Sequence, residues 1–145
     1  MTGGEGPLQP GLAQVQRILS ESARLAALCT ACGECVKACP MPAFALLPAA
    51  EPAIVAAGMR AVLSGAPASP EGLAFVAACT RSGQCNAACP ERLDVAFMLR
   101  LAGMRAKGAT GEAPLVAVKS DPGWASRVKA FARMTMTEEE QSKWL

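Results

Sequence analysis

Seven cysteines are the residues of this sequence that could carry chemistry, and they fall into two groups. The first group comprises Cys29, Cys32, Cys35 and Cys39, followed by Pro40, and the second comprises Cys79, Cys85 and Cys89, followed by Pro90. The chain has no histidine and no tyrosine, which removes the commonest general base and the usual nitrogen ligand of zinc and haem. We therefore expect the chemistry of this chain to depend on sulfur.

The spacing of the first group is that of a bacterial ferredoxin motif, with three cysteines at two-residue gaps, a fourth after three residues, and then a proline. A loop that carries Cys29, Cys32 and Cys35 can wrap three corners of a 4Fe-4S cube. The chain then turns away, so Cys39 reaches elsewhere, as the fourth cysteine does in proteins with two clusters. This spacing predicts iron-sulfur clusters.

Zinc and disulfides are the alternative uses of these cysteines. A zinc site usually takes two Cys-x-x-Cys pairs, needs no third cysteine at the same gap, and without histidine would have to be all cysteine. Seven cysteines cannot all form disulfides, and in a secreted chain an odd number would leave an unpaired thiol. Free thiols at this density therefore indicate a reducing compartment, and we expect the cytoplasm.

The two cysteine groups belong to an internal repeat. Residues 29–40 and 79–90 match at seven positions with a constant offset of 50, and Ser82 stands where the first copy has Cys32. Serine is a harder and more weakly acidic ligand than cysteine. The second site could hold a 3Fe-4S cluster, keep a fourth iron with Ser82, water or a partner's ligand, or lack a cluster altogether.

Helices must position these motifs, because the chain has 30 alanines and only six Phe or Trp residues. Apolar periodicity predicts a helix from about residue 10 to Leu28, directly before the first motif. Further helices are predicted over Pro52–Leu63, from Ser69-Pro70 to Cys79, and over Leu93–Lys107. The fold class is therefore predicted to be all-α.

Residues 112–145 differ in character from residues 1–111, which hold both motifs. Leu115–Val118 is an extended candidate, and Asp121-Pro122 opens a helix with one apolar face: Trp124, Val128, Phe131 and Ala132. Thr137 and Glu140 form a capping-box pattern for a last turn that ends at Trp144-Leu145. We expect this extension to be a partner-docking arm, and the alternative is that it packs on the chain's own core.

Charge and hydropathy exclude several classes. A net charge of +2 is too small for a nucleic-acid footprint. The start, Met1–Pro7, has no signal-peptide pattern, so export is not expected. The longest apolar stretch, from Ala43 to Leu63, is interrupted by prolines and charges, so no transmembrane segment is expected.

The two motifs and their spacer resemble a known family. The order of the motifs, the segment Met59–Gly65 and the helix that begins with Leu93-Asp94-Val95 are similar to the alpha-helical ferredoxin domain of heterodisulfide reductase C subunits. The gapped second motif resembles that of succinate dehydrogenase and fumarate reductase iron-sulfur subunits, which holds a 3Fe-4S cluster. The resemblance covers about residues 10–107.

This resemblance implies an alpha-helical ferredoxin with two clusters and a helical C-terminal tail. It implies a 4Fe-4S cluster on Cys29, Cys32, Cys35 and Cys89, and a 3Fe-4S cluster on Cys39, Cys79 and Cys85. It also implies a hetero-oligomer with a catalytic redox subunit, either like the heterodisulfide reductase B subunit or a flavoprotein. The chain lacks the 2Fe-2S domain of the succinate dehydrogenase subunits and the eighth cysteine common in heterodisulfide reductase C subunits.

The function expected from these features is single-electron transfer between a donor and a larger oxidoreductase. An alternative is an iron-sulfur sensor or assembly module, and another is an enzyme that acts on a thiol at an open iron corner near Ser82. Four charged residues near the motifs could set the local charge: Glu34, Lys37, Glu91 and Arg92. Three basic residues on one helix could meet an acidic partner: Arg100, Arg105 and Lys107. Solvated surface is the simpler role for each of these residues.

Overall fold

The computed structural model describes residues 10–144, in which the chain forms nine α-helices and no strand. The predicted all-α fold is therefore confirmed for this part of the chain. The helices are α1 (Pro10–Leu28), α2 (Glu34–Ala38), α3 (Met41–Phe44), α4 (Pro52–Ser64), α5 (Pro70–Ala78), α6 (Gln84–Ala88), α7 (Val95–Ala106), α8 (Trp124–Thr135) and α9 (Glu138–Trp144). The opening segment Met1–Pro7 and the terminal Leu145 lie outside the described residues. Among these helices, none has both the length and the apolar character needed to cross a membrane.

The predicted helices α4 and α5 have the expected positions because their ends are encoded locally. Helix α4 begins with Pro52 and ends at Ser64, and it is capped by Gly65, whose φ of 77° is left-handed. Helix α5 begins after Ser69, whose hydroxyl oxygen accepts a hydrogen bond from the Gly72 amide at 3.2 Å. Helices α1 and α5 each end one residue before the first cysteine of a motif, so the two halves of the repeat share this design.

The core is centred on α4, which packs against α1, α5 and α7. Four large side chains are almost completely buried there: Met59, Leu63, Phe75 and Met98. Burial of each contributes roughly 1.5–3 kcal/mol. Helices α4 and α5 approach main chain to main chain, because a Cβ atom at Gly58 would lie 2.7 Å from the Cα atom of Gly72.

Helix α7 begins at Val95, two residues after the predicted start at Leu93, because Asp94 caps it. The Asp94 carboxylate accepts a hydrogen bond from the Phe97 amide at 2.9 Å and one from the Asn86 side chain at 3.0 Å. Asn86 also accepts a hydrogen bond from the Ala96 amide at 2.9 Å. Helix α6 of the second motif therefore holds the first turn of α7.

The C-terminal extension differs in part from its prediction. The extended candidate Leu115–Val118 is wrong: residues 114–117 are irregular and Val118–Ser120 form a 3-10 turn, since a lone strand would leave its backbone groups unpaired. The Thr137–Glu140 capping box is confirmed, with the Glu140 amide donating to the Thr137 hydroxyl at 3.2 Å. Helix α8 packs on α3, and the Arg133 guanidinium donates to the Phe44 carbonyl at 3.0 Å.

Candidate metal centre

The turns that carry the cysteines have the same backbone conformation in both motifs. Ala31 and Arg81 have φ values of 54° and 63°, and Gly33 and Gly83 have φ values of 86° and 76°. Each turn leads into a five-residue helix, α2 or α6, whose C-terminal cap is the last cysteine of the motif. Residues that lie 50 positions apart therefore have similar φ angles, so the sequence repeat is also a structural repeat.

Three cysteines of the first motif and one of the second line a single pocket. They are Cys29, Cys32, Cys35 and Cys89. Apolar side chains form much of the remaining wall, among them Ala56, Met59, Val95 and Met98. The Ala31 amide donates a hydrogen bond to the Cys29 sulfur at 3.4 Å, an interaction that stabilises a thiolate. The structure thus brings together the four residues that the resemblance assigns to a 4Fe-4S cluster.

The other three cysteines form a second group. Cys39 and Cys79 pack against the same buried core that contains Cys85. Burial, followed by the nearby Cys79, raises the pKa of the Cys39 thiol. Ser82 lies exposed in the turn of this motif, at the place that Cys32 has in the first. The second group therefore has three sulfurs and a hydroxyl-bearing residue where the fourth sulfur would be.

The two groups adjoin at the buried cysteines of the short helices. Helices α2 and α6 pack against each other. Burial, followed by repulsion from neighbouring thiolates that include Cys85, raises the pKa of Cys35 to about 12. Burial and the charges of Cys39 and Cys79 raise the pKa of Cys85 to about 11. Metal binding to such thiols releases their protons.

The donor set and its surroundings fit iron-sulfur clusters. All seven cysteines are free, and within residues 10–144 no three histidine, cysteine or acidic side chains converge closely enough to hold a single metal ion. One pocket is instead lined by four cysteines: Cys29, Cys32, Cys35 and Cys89. Thiolates spread around an apolar cavity suit a cluster of several irons, in which each iron takes one sulfur.

Several charged residues have structural partners that the sequence did not reveal. Arg105 is buried, donates to the Leu63 carbonyl at 2.8 Å and pairs with Glu112, so it does not lie free on a basic surface. Lys107 contacts Asp121 at 2.7 Å, whereas Arg100 is exposed. Near the motifs, Glu34 and Lys37 pair with each other in solvent, Glu91 lines the first pocket and Arg92 is exposed.

Asp121 is the residue that sequence reasoning missed, apart from its position before a helix. Its carboxylate contacts Lys107 and Arg127, each at 2.7 Å, and accepts a hydrogen bond from the Gly123 amide at 2.9 Å. The hydrogen bonds from Arg127 and Lys107 hold the pKa of Asp121 well below its usual range. The Asp121-Pro122-Gly123 sequence signals a turn, but only the fold shows that this turn binds α8 to the end of α7.

Comparison with known proteins is consistent with this site. Residues 28–93 match the family model of a 4Fe-4S dicluster domain, and this range contains all seven cysteines. No curated protein and no solved structure gives a significant match. The match and the thiol-lined pocket together support an iron-sulfur protein similar to the ferredoxins.

Proposed function

We propose that this chain is an electron-transfer subunit that binds two iron-sulfur clusters and passes single electrons to or from a larger oxidoreductase. When bound, such clusters accept and release one electron at a time. The observation that carries the proposal is the pocket in which Cys89 of the second motif joins three cysteines of the first. This is the exchange of ligands expected of a two-cluster ferredoxin.

The first pocket has the properties that a four-iron site requires of a protein. Its thiols Cys29, Cys32, Cys35 and Cys89 would supply one sulfur to each iron. Met59 and Met98 have no exposed surface and close the inner wall against water. The Ala31 amide donates to the Cys29 sulfur, and such hydrogen bonds help to set the reduction potential.

The three cysteines outside the first pocket support a three-iron site. Cys39, Cys79 and Cys85 would supply three ligands, and Ser82 leaves the position equivalent to Cys32 without a thiol. A 3Fe-4S cluster needs only those three sulfurs. A four-iron cluster with Ser82, water or a partner's ligand at the last corner is the alternative that the experiment below distinguishes.

The partner is proposed from the resemblance. Heterodisulfide reductase C subunits work beside a catalytic subunit, and this chain shares their order of motifs and helical spacer. We assign it to a hetero-oligomer with a catalytic redox subunit, either like the heterodisulfide reductase B subunit or a flavoprotein. Helix α8 and its exposed apolar side chains, described below, would contribute to that assembly.

Electron paramagnetic resonance with an iron count tests the proposed clusters. Protein purified without oxygen should contain about seven irons and show the signal of an oxidised 3Fe-4S cluster, with a second signal after reduction. Eight irons and no signal in the oxidised state would contradict the three-iron assignment.

Reciprocal substitution at Ser82 and Cys32, the equivalent positions of the two motifs, provides a matched test. Ser82→Cys should raise the iron content by about one and remove the oxidised signal, because the second motif then has the ligands of the first. Cys32→Ser should lower the iron content of the first site in the same way. If both variants keep the wild-type spectrum, Ser82 does not face the open corner.

A sensor is the second candidate, and one contact favours it. Helix α3 follows directly after Cys39, and α8 packs on α3, so loss of a ligand at Cys39 could loosen the tail. A sensor should expose α8 to trypsin when a chelator removes the iron, while circular dichroism shows that the other helices remain. An electron carrier should lose its spectrum without a selective release of α8.

A further inference from the structure

A large groove lies between α8 and the pair α5 and α7, beside the second motif. Its volume is about 920 Å³, and it is lined mainly by apolar side chains: Leu73, Leu99, Met104, Trp124, Val128 and Phe131. Cys79, Thr80 and Arg81 of the second motif also line it. Whatever occupies this groove therefore touches the cysteine turn of the second site.

The α8 wall of the groove is unusually apolar for a surface. Trp124 is 58% exposed, Val128 39% and Phe131 49%, at a spacing of four and three residues along one helical face. Side chains at this spacing form a ridge that packs well against another helix. The groove therefore has the apolar surface of a helix-binding site.

The rim of the groove is positively charged. Arg81 and Arg100 are exposed, and the structure records no ion pair for either among the described residues. Lys107 and Arg127 also line the groove, but both are already paired with Asp121. Asp121 is the only acidic residue among the described lining residues. Two cations on an apolar groove favour an occupant with an apolar face and acidic flanks.

We propose that the groove binds an acidic amphipathic helix of the electron-transfer partner. This inference rests on the proposed function and assigns its docking surface. Apolar side chains of the partner helix would pack between α8 and α7, and its carboxylates would pair with Arg81 and Arg100. A helix bound there lies against the Cys79–Arg81 turn, which is the contact that electron exchange at the second site requires.

The chain's own α9 is the competing acidic helix, contributed by a second copy. It has three glutamates in its first turn and an exposed Trp144. Two of those glutamates already have partners, since Glu139 pairs with Lys143 and Glu140 caps the helix through Thr137. We therefore assign the groove to a partner protein and use the oligomeric state as one outcome of the test.

Binding of designed peptides to the cluster-loaded chain tests this assignment. The probe is a dye-labelled amphipathic helix of about 14 residues, with leucine on one face and glutamate on the other. One control peptide has lysine in place of glutamate, and another has the same residues in scrambled order. Fluorescence anisotropy should show binding of the acidic helix that weakens with added salt, and at least about tenfold weaker binding of both controls.

Variants locate the binding site. Arg81→Glu with Arg100→Glu should weaken binding about tenfold, since two exposed attractions become repulsions. Phe131→Asp should weaken it as much, because a carboxylate would enter the apolar wall. The matched controls Arg17→Glu and Leu12→Asp on α1 should stay within about twofold of the wild type. Arg100→Glu alone keeps the test valid if a change at Arg81 lowers the iron content.

Several outcomes would overturn the assignment. These are equal binding of the acidic and basic helices, no binding by either, or no effect of the groove variants. A dimer at the assay concentration that Glu138→Lys dissociates would give the groove to a second copy. Displacement of the bound peptide by a small apolar dye, without any salt dependence, would indicate a small-molecule site. The iron count is measured on the same samples, so peptide binding without iron contradicts the proposed function alone, and iron without peptide binding contradicts this inference alone.

Discussion

In the first motif Gly33 is buried beneath the first turn of α4, whereas in the second motif nothing lies within 4 Å of where a Cβ atom of Gly83 would stand. A Cβ atom at Gly33 would lie 2.6 Å from the Pro52 carbonyl carbon. The dihedral angles of the two turns nevertheless agree closely. The turn conformation is thus encoded within the motif, and its surroundings come from the helices that follow.

The same contrast holds at the centre of each short helix. Val36 in α2 is buried in the core, whereas the equivalent Asn86 in α6 is exposed and binds the start of α7 through hydrogen bonds. The core therefore covers the first motif at Gly33 and Val36, whereas Cys32 is exposed. The second motif lies beside the open groove, so the two motifs differ in what surrounds them.

The exchange of ligands between motifs provides the test with the largest expected effect. Cys89→Ala should lower the iron content of the 4Fe-4S site by about one to four irons and change its reduced signal, although the residue belongs to the second motif. The second site should keep its oxidised 3Fe-4S signal. Cys39→Ala should remove that signal and leave the reduced 4Fe-4S signal. If each variant instead loses the site of its own motif, the exchange is contradicted. Cys89→Ser and Cys39→Ser repeat the comparison with a smaller structural change.

The variants Gly33→Ala and Gly83→Ala compare the turn that α4 covers with the equivalent open turn. Both variants place a side chain at positive φ, which costs about 1 kcal/mol. Gly33→Ala also overlaps the main chain of Pro52 and Ala53, so its total cost should be about 3 kcal/mol or more. Urea unfolding without oxygen, followed by circular dichroism, measures both. Equal losses would show that α4 does not confine the first turn.

Removal of the Asp121 charge should loosen the groove beside the second motif. In Asp121→Asn, the ion pairs with Lys107 and Arg127 are lost, and trypsin should cleave α8 faster while the rest of the chain is unchanged. Because the folded pKa is depressed, the ionised carboxylate stabilises the fold above its ordinary pKa of about 3.9, and this contribution is lost as pH falls through the lower folded value.

The difference between wild type and Asp121→Asn should therefore be largest near neutral pH and shrink below about pH 4. Trp124 emission in a Trp144→Phe background follows α8 in both proteins. A difference that stays constant down to the lowest pH would mean that the carboxylate charge is not what holds α8.

The smallest effect is expected at equivalent threonines. The Thr80 hydroxyl donates to the Met41 sulfur at 3.0 Å and so joins the second motif to α3, whereas Thr30 is exposed. Thr80→Val should destabilise the protein by about 0.5–1 kcal/mol, and Thr30→Val should leave its stability within about 0.5 kcal/mol. Urea midpoints measure both. A Thr80→Val protein as stable as Thr30→Val would show that this bond contributes nothing.

Local signals explain what could be predicted of the fold. Apolar periodicity predicted α1, Ser69 predicted the start of α5, and Thr137 with Glu140 predicted the cap of α9. The five-residue helices α2 and α6 are shorter than two turns, so periodicity could not indicate them. The segment Leu115–Val118 has two valines but no partner strand, so its residues are irregular or enter the 3-10 turn that begins at Val118.

The candidate site, like the fold, could be predicted only in part from the sequence. Type and spacing of the cysteines predicted the class of site, and the similarity of residues 28–93 to a 4Fe-4S dicluster domain supports it. The assignment of each cysteine to a cluster stays a prediction. The groove could not be predicted, since it depends on Asp121 meeting Lys107 and Arg127 after α8 folds back, and no local pattern encodes such distant contacts.

The close approach of α4 and α5 has a consequence for how this domain can vary. At Gly58 and Gly72 the main chains of the two helices approach each other, and the Ser69 hydroxyl lies beside them. The first turn of α4 covers Gly33, and α5 ends directly before Cys79, so one pair of helices reaches both motifs. The distance between α4 and α5, the helices that reach the two motifs, is thus set at this point by contact between their main chains. A methyl group at either glycine would overlap the facing helix, so α4 and α5 would have to move apart.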